Sequence, residues 1–280
     1  MRLLRKLAHD VPAFIGLIII LSACLVALFA QQLAPYPELA FESNVMQRLK
    51  PPGPEFWLGT DGHGRDILTR LILGSRGTLF AAVSVVGATL LIGVPLGLIA
   101  GYWGGWLGQL IMRITDTFLA VPQLVLAMVL AHLMAPSLES ALTALVITYW
   151  PFFARIVYAE TRRLKSALFV EALQALNVSS ARILILHILP NAAGPIIVRA
   201  TIGMGFAILT SALLGFLGMG ATAPSPDWGL AIAESRDFLP DAWWASTFPG
   251  LAILILVLGF NLFGDGLRDL IDPRLRRSRA

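Results

Sequence analysis

Apolar positions along the chain gather into six long runs, separated by polar stretches rich in proline and glycine. The runs occupy residues 11–30, 78–100, 107–134, 140–158, 195–218 and 247–263. A helix rises about 1.5 Å per residue, so roughly 20 apolar residues cross the ~30 Å core of a bilayer. The pattern predicts an all-α, polytopic membrane protein with six transmembrane helices and both termini on one side. The first run is read as a retained span. Leu21-Ser22-Ala23-Cys24 resembles a lipoprotein cleavage box, but the run continues through Leu25-Val26-Ala27-Leu28-Phe29, whereas a signal h-region covers only about 7–15 residues and ends at its cleavage site.

The connections divide the chain into residues 1–10 as an N-terminal tail, 11–32 as the first span, 33–76 as an external segment, and 77–280 as a core of five spans. The external segment carries Pro35, Pro37, Pro51, Pro52 and Pro54 and is too short to bury a core of its own. Gly59-Thr60-Asp61-Gly62-His63-Gly64-Arg65-Asp66 reads as a turn entering a helix. Ile67, Leu68, Leu71 and Ile72 then group apart from Asp66 and Arg70, which predicts a short amphipathic helix on the membrane surface. Gly93, Gly97, Gly101 and Gly105 recur every four residues, a flat ridge where another helix can approach closely. Arg113 and Asp116 are spaced to pair along one helix. Trp103, Trp106, Trp228, Trp243 and Trp244 suit a membrane interface.

One long interruption, 167–190, lies between the fourth and fifth runs within a loop at 160–194. Phe169, Ala172, Leu173 and Leu176 follow the i, i+3, i+4, i+7 spacing of one helical face, with Glu171 and Gln174 off it. Asn177 follows the last apolar position, where a helix often ends in a left-handed residue. Ser179 or Ser180 can cap a second helix, whose run from Ile183 to Leu189 stops at Pro190. Two short helices with a sharp turn are predicted. The apolar face of the first must be buried in its own loop, in the membrane surface or in another protein. From spacing alone, Glu171 is equally a solvated charge or a docking charge.

Composition agrees with the pattern. The 280 residues are 57% hydrophobic and 14% charged, against about 25% charged in ordinary globular chains. Cys24 is the single cysteine, so no disulfide framework or cysteine metal site exists. The formal net charge is +4, and its placement points to topology rather than to nucleic acid. Fifteen of the 21 Lys and Arg residues fall on the side of the termini: Arg2, Arg5, Lys6, Arg113, Arg155, Arg162, Arg163, Lys165, Arg182, Arg199, Arg268, Arg274, Arg276, Arg277 and Arg279. The positive-inside rule places that side, and the loop at 160–194, in the cytoplasm.

Catalytic motifs are missing. The three lysines, Lys6, Lys50 and Lys165, do not follow glycine, so no phosphate-binding loop of the Gly-Lys-Ser/Thr type is present. His9, His63, His132 and His187 have no metal-ligand spacing. Asp116 and Asp265 could form an intramembrane aspartyl pair, but Leu262-Phe263-Gly264 precedes Asp265 where that protease family requires Gly-x-Gly. A secondary transporter would need repeats and mid-span ionisable groups; no repeat is evident and mid-span charges are nearly absent.

The triplet Glu171-Ala172-Leu173, with Asn177 and the ending Ile188-Leu189-Pro190, resembles the EAA loop of ABC-importer permease subunits. Leu173 stands where that family has Ala, and Asn177 where it has Gly. The likeness extends to Trp57-Leu58-Gly59-Thr60-Asp61 with Gly64-Arg65-Asp66, to 97–102, to 215–220 through Pro224, Pro226 and Trp228-Gly229, to 248–251, and to 260–269 with Asp272-Pro273-Arg274-Leu275. Together these are similar to the second permease subunit of dipeptide/oligopeptide/nickel importers. The resemblance implies a type I importer fold in the cell inner membrane and a non-catalytic subunit without a cofactor of its own. It implies a sister permease completing a heterodimer, two cytoplasmic ATP-binding subunits that bind ATP and Mg, and an extracytoplasmic binding protein. Phe169, Glu171, Ala172, Leu173, Leu176 and Asn177 would dock on an ATP-binding subunit. The implied cargo is di- or oligopeptides, with nickel chelates or other small solutes as the alternative.

Overall fold

The computed structural model describes residues 10–271. Arg2, Arg5, Lys6 and His9, and the basic tail from Asp272 onward, lie outside the described residues. The apolar runs form helices: α1 (Val11–Leu28), α2 (Ile67–Trp103), α3 (Gly105–Ala120), α4 (Gln123–Leu133), α5 (Leu138–Lys165), α6 (Leu168–Ala175), α7 (Ser180–Phe216), α8 (Trp228–Ser235) and α9 (Trp244–Ile271). Five of these are long and apolar enough to cross a membrane; α3 and α4 together are long and apolar enough for a sixth span but are bent by 89° at the break between them. Pro122, at that bend, lacks the N–H that would continue the helix, so the third apolar run is two helices rather than one.

Parallel helices α2 and α5 form the centre. Glycine explains their closeness: a Cβ added at Gly93 would lie 2.7 Å from the Trp150 carbonyl oxygen, at Gly97 2.6 Å from that of Ala154, and at Gly101 2.6 Å from Cβ of Thr161. Gly105 does not belong to this ridge. It starts α3 with a φ of +54° and faces open space, its backbone conformation rather than its size being what the turn needs. Helix α7 packs on α2, α5 and α9, and α1 rides on α9. That last contact also depends on glycine, since a Cβ at Gly16 would meet the Gly259 carbonyl oxygen at 2.6 Å.

Two predicted boundaries are corrected. No separate amphipathic helix lies on the surface before the second span: residues 67–72 are the first turns of α2, a 37-residue helix capped by Asp66, which accepts from the Thr69 N–H at 2.8 Å. Ile67 and Arg70 are buried. Gly74 abuts the Pro226 carbonyl and Trp228, and this packing carries the helix through a stretch whose glycines disfavour it locally. Nor does Pro190 end the helix after Asn177. Residues Ile183–Ile188 form a π-helical turn that passes directly into Leu189–Phe216. A proline ring clashes with the carbonyl four residues back in a regular α-helix, and a widened turn before it relieves that clash.

Side-chain pairings also depart from the spacing. Asp116 pairs with Arg155 of α5, not with Arg113. Trp228 and Trp244 are buried rather than interfacial, their indole N–H groups donating to the carbonyls of Leu71 (3.1 Å) and Thr60 (3.2 Å). Trp103 and Trp106 are exposed. Thr148 and Thr210 donate to carbonyls of their own helices, which satisfies them without a ligand. Finally, Asp116, Arg155 and Arg199 lie well inside α3, α5 and α7, so mid-span charge is present after all. The charge asymmetry keeps its sign without Arg113, Arg155 and Arg199.

Candidate functional site

Helix α5 runs on past its apolar stretch to Lys165, and the chain turns back through Ser166 and Ala167 into α6. The loop is anchored by apolar side chains pointing into it. Val170 is fully buried and packs with Leu164, Ile183, Leu184 and Ile188, with Leu173 and Val178 beside them. Tyr102, at the end of α2, ties the loop to the bundle: Lys165 Nζ donates to its carbonyl and lies 5.3 Å from its ring centroid, and Gln174 Nε2 donates to its hydroxyl at 3.4 Å.

The exit from α6 is a Schellman turn. Asn177 has a φ of +56°, its N–H donates to the Gln174 carbonyl at 2.9 Å, and the Val178 N–H donates to the Leu173 carbonyl at 3.1 Å. These two bonds satisfy carbonyls the helix end would leave open. Ser179 precedes α7 but makes no side-chain cap. The turn holds α6 at a fixed angle to the π-turn and so to the membrane-spanning part of α7.

Much of what remains outside is apolar. Leu168 is 83% exposed, Leu176 76% and Phe169 41%, with Ala172 exposed among them. Glu171 is exposed in the first turn of α6 and has no hydrogen-bond or ion-pair partner among the described residues. Of the residues singled out by spacing, Phe169, Glu171, Ala172, Leu176 and Asn177 lie on the open side. Leu173 turns partly inward to the loop's own core. Leu168 and Val170 were missed: α6 is apolar on nearly every side, so period alone could not separate the face that anchors it from the face left open.

At the opposite end of the bundle, Asp61, His63 and Glu234 converge closely enough to share a cation, and the Arg65 guanidinium is that cation. Its Nε donates to Asp61 at 2.7 Å and its Nη2 to Glu234 at 2.5 Å, with the His63 Nδ1 at 3.1 Å. Arg70, also buried, donates to the carbonyls of Ala40 (2.7 Å), Pro224 (3.2 Å) and Ser225 (3.0 Å). This clasp fastens the 40–66 segment to α8. Asp227 caps α8 by accepting from the Leu230 N–H at 2.8 Å. Burial pushes its carboxyl above the usual range, offset only in part by the Leu230 and Gly229 amides and by Arg70. Glu234 lies 169 residues from Arg65, so nothing in the local sequence announced the clasp.

A bundle of long apolar helices with a loop that leaves apolar side chains exposed defines a multi-pass membrane protein. Comparison with known proteins makes the class specific. The family described as "binding-protein-dependent transport system inner membrane component" matches residues 93–277, and the N-terminal transmembrane domain of oligopeptide transport permease C matches residues 2–52. The dipeptide transport system permease protein of Alkalihalophilus pseudofirmus is 45% identical over 97% of this chain and 89% of its own length. The glutathione transport system permease protein of Pectobacterium atrosepticum is 38% identical over 97% and 90%. An inward-facing structure of the MetNI methionine ABC transporter superposes with a TM-score of 0.60 at 20% identity, over 74% of this chain and 98% of that one.

The chain belongs to the family of binding-protein-dependent transport system inner-membrane components, as an ABC-importer permease subunit of the dipeptide/oligopeptide/nickel group. It is a multi-pass inner-membrane protein with the type I importer fold, and it is non-catalytic: ATP is hydrolysed on other subunits. The machine comprises paired permeases, ATP-binding subunits and a solute-binding protein.

Proposed function

We propose that this subunit carries di- or oligopeptides inward, and that α6 is the helix through which closure of an ATP-binding subunit moves it. The observation that carries the docking reading is the open side of α6: Leu168, Phe169 and Leu176 are exposed on a loop whose remaining apolar side chains are buried. Nothing within the described chain covers them, and the positive-inside count puts them in the compartment that holds ATP. Glu171 stands free to meet a cation on the partner. The Schellman turn and π-turn make α6 and α7 one lever, so displacing α6 biases the bundle between outward and inward access. Only contacts that differ between those two states can drive the change.

The peptide assignment rests on relatives. Those matching along nearly the whole chain include permeases described as dipeptide, di/tripeptide and glutathione transporters. The sister permease is a different chain, so the membrane unit is a heterodimer, with two ATP-binding subunits below and the binding protein above.

Uptake of a labelled dipeptide into proteoliposomes holding all the subunits tests both parts. Dipeptide uptake that requires ATP supports the function. Glu171→Lys abolishes that uptake while leaving membrane insertion intact, because Glu171 has no partner in its own chain to lose. Wild-type uptake by a well-folded Glu171→Lys subunit overturns the docking role, and failure of the wild type to carry any peptide overturns the substrate class.

A further inference from the structure

One cation sits where a bilayer tolerates charge least. The Arg199 guanidinium carbon lies 5.6 Å from the ring centroid of Tyr149 and 5.2 Å from that of Phe152. Those rings flank the midpoint of α5, a 28-residue helix about 42 Å long. The guanidinium is therefore near mid-height in the bundle. Among the described residues no carboxylate pairs with it. Its Nε is buried without a hydrogen-bond partner, as is the Tyr149 hydroxyl.

An ionisable residue at such depth faces the bundle interior or a water-filled passage. Two further observations favour the passage. Arg199 is only half-buried in the isolated subunit. One turn along α5 from Phe152, Arg155 pairs with Asp116 of α3, and both side chains are about half exposed, at 49% and 46%. Residues 152 and 155 share a face of the helix, so this face carries charge that the subunit's own side chains leave partly uncovered over successive turns. Aromatic faces hold a guanidinium by cation–π attraction without neutralising it. Its planar N–H fork stays available for a carboxylate.

We propose that Arg199 is a substrate-contacting residue of the translocation pathway, and that it receives the free C-terminal carboxylate of a peptide crossing the mid-plane. This rests on the peptide reading above. One arginine without a dedicated acid suits a transit site, where binding must be strong enough to admit the cargo and weak enough to release it.

The test uses the complete importer in proteoliposomes and two probes, L-alanyl-L-alanine and its C-terminal amide. The binding protein's own preference is common to all variants, so it cancels when the acid-to-amide uptake ratio is compared between them. Arg199→Gln should lower dipeptide uptake about tenfold or more, the scale of a lost charge-assisted contact, and leave amide uptake within about twofold. Arg199→Lys should keep most of the acid preference. Co-purification of the subunits and ATP hydrolysis stimulated by the binding protein should stay at wild-type levels in both variants. An equal fall for both probes in Arg199→Gln, an unchanged ratio, or loss of assembly in both variants overturns the proposal and makes Arg199 a structural or subunit-pairing residue. If the wild type carries the dipeptide and only the ratio fails to move, the peptide reading survives; if it carries neither probe, both readings fall.

Discussion

Replacing Leu168 and Leu176 together by alanine should detach the motor while leaving the permease folded. Fully burying a leucine side chain is worth about 1.5–3 kcal/mol. With 83% and 76% of these residues still exposed, most of that gain is available only on docking, about 1–2 kcal/mol for each. The pair then supplies about 2–4 kcal/mol, or a 30- to 700-fold change in dissociation constant at about 1.4 kcal/mol per decade. Titrating purified ATP-binding subunits onto the detergent-solubilised permease pair, by fluorescence or interferometry, reads this directly. The melting temperature should barely move, because exposed positions away from special features change stability by only about 0.5 kcal/mol. Val170→Ala is the counter-case. It empties a fully buried site, should cost roughly 1–3 kcal/mol of local stability, and weakens docking through disorder of the loop. Undiminished affinity in the Leu168→Ala/Leu176→Ala protein would refute the idea that this face is the contact.

Three further substitutions probe the frame around the site. Gly97→Leu places a side chain where even a Cβ would lie 2.6 Å from the Ala154 carbonyl oxygen; α2 and α5 should separate, and yield and thermal stability should fall together. Glu234→Ala leaves Asp61 as the one carboxylate ion-paired to both Arg65 and Arg70 in a buried clasp, so stability should drop by about 3–5 kcal/mol, read as a lower melting temperature. Asp227→Asn keeps an acceptor for the Leu230 N–H but removes a charge that burial disfavours. A carboxyl held above its ordinary 3.8 in the folded state binds protons more readily there than in the unfolded chain, so wild-type stability falls as pH rises from near 4 through the raised value. The Asn variant should be the more stable protein at pH 7, with the advantage shrinking toward pH 4 in thermal melts.

Much of this molecule is visible in its pattern of apolar runs, because a bilayer imposes length and continuity on every crossing helix. The ridge at Gly93, Gly97 and Gly101 was legible in its four-residue spacing, although the same spacing wrongly added Gly105, which lies in the turn that starts the next helix. The left-handed turn at Asn177 followed from its place after the last apolar position. Other features depended on partners far away in sequence. Residues 67–72 look amphipathic taken alone, yet Arg70 is buried because carbonyls at 40, 224 and 225 receive it. Asp116 chose Arg155 over Arg113 because α5 lies alongside α3. Pro190 looked like a stop because a regular α-helix was assumed on both sides, and the π-turn removes that premise. The open face of α6 was half legible, since a helix apolar on nearly every side shows that it docks somewhere without showing which side is already taken.

The central claim is that α6 faces the cytoplasm and is gripped there by an ATP-binding subunit. Leu176→Cys in a Cys24→Ser background provides one thiol at the C-terminal end of the open face. Labelling it with a membrane-impermeant maleimide, in right-side-out and inverted vesicles, tests the claim most directly. The account predicts labelling only in inverted vesicles, and protection once purified ATP-binding subunits are added. Labelling from the outer face, or full labelling in the presence of those subunits, would contradict it.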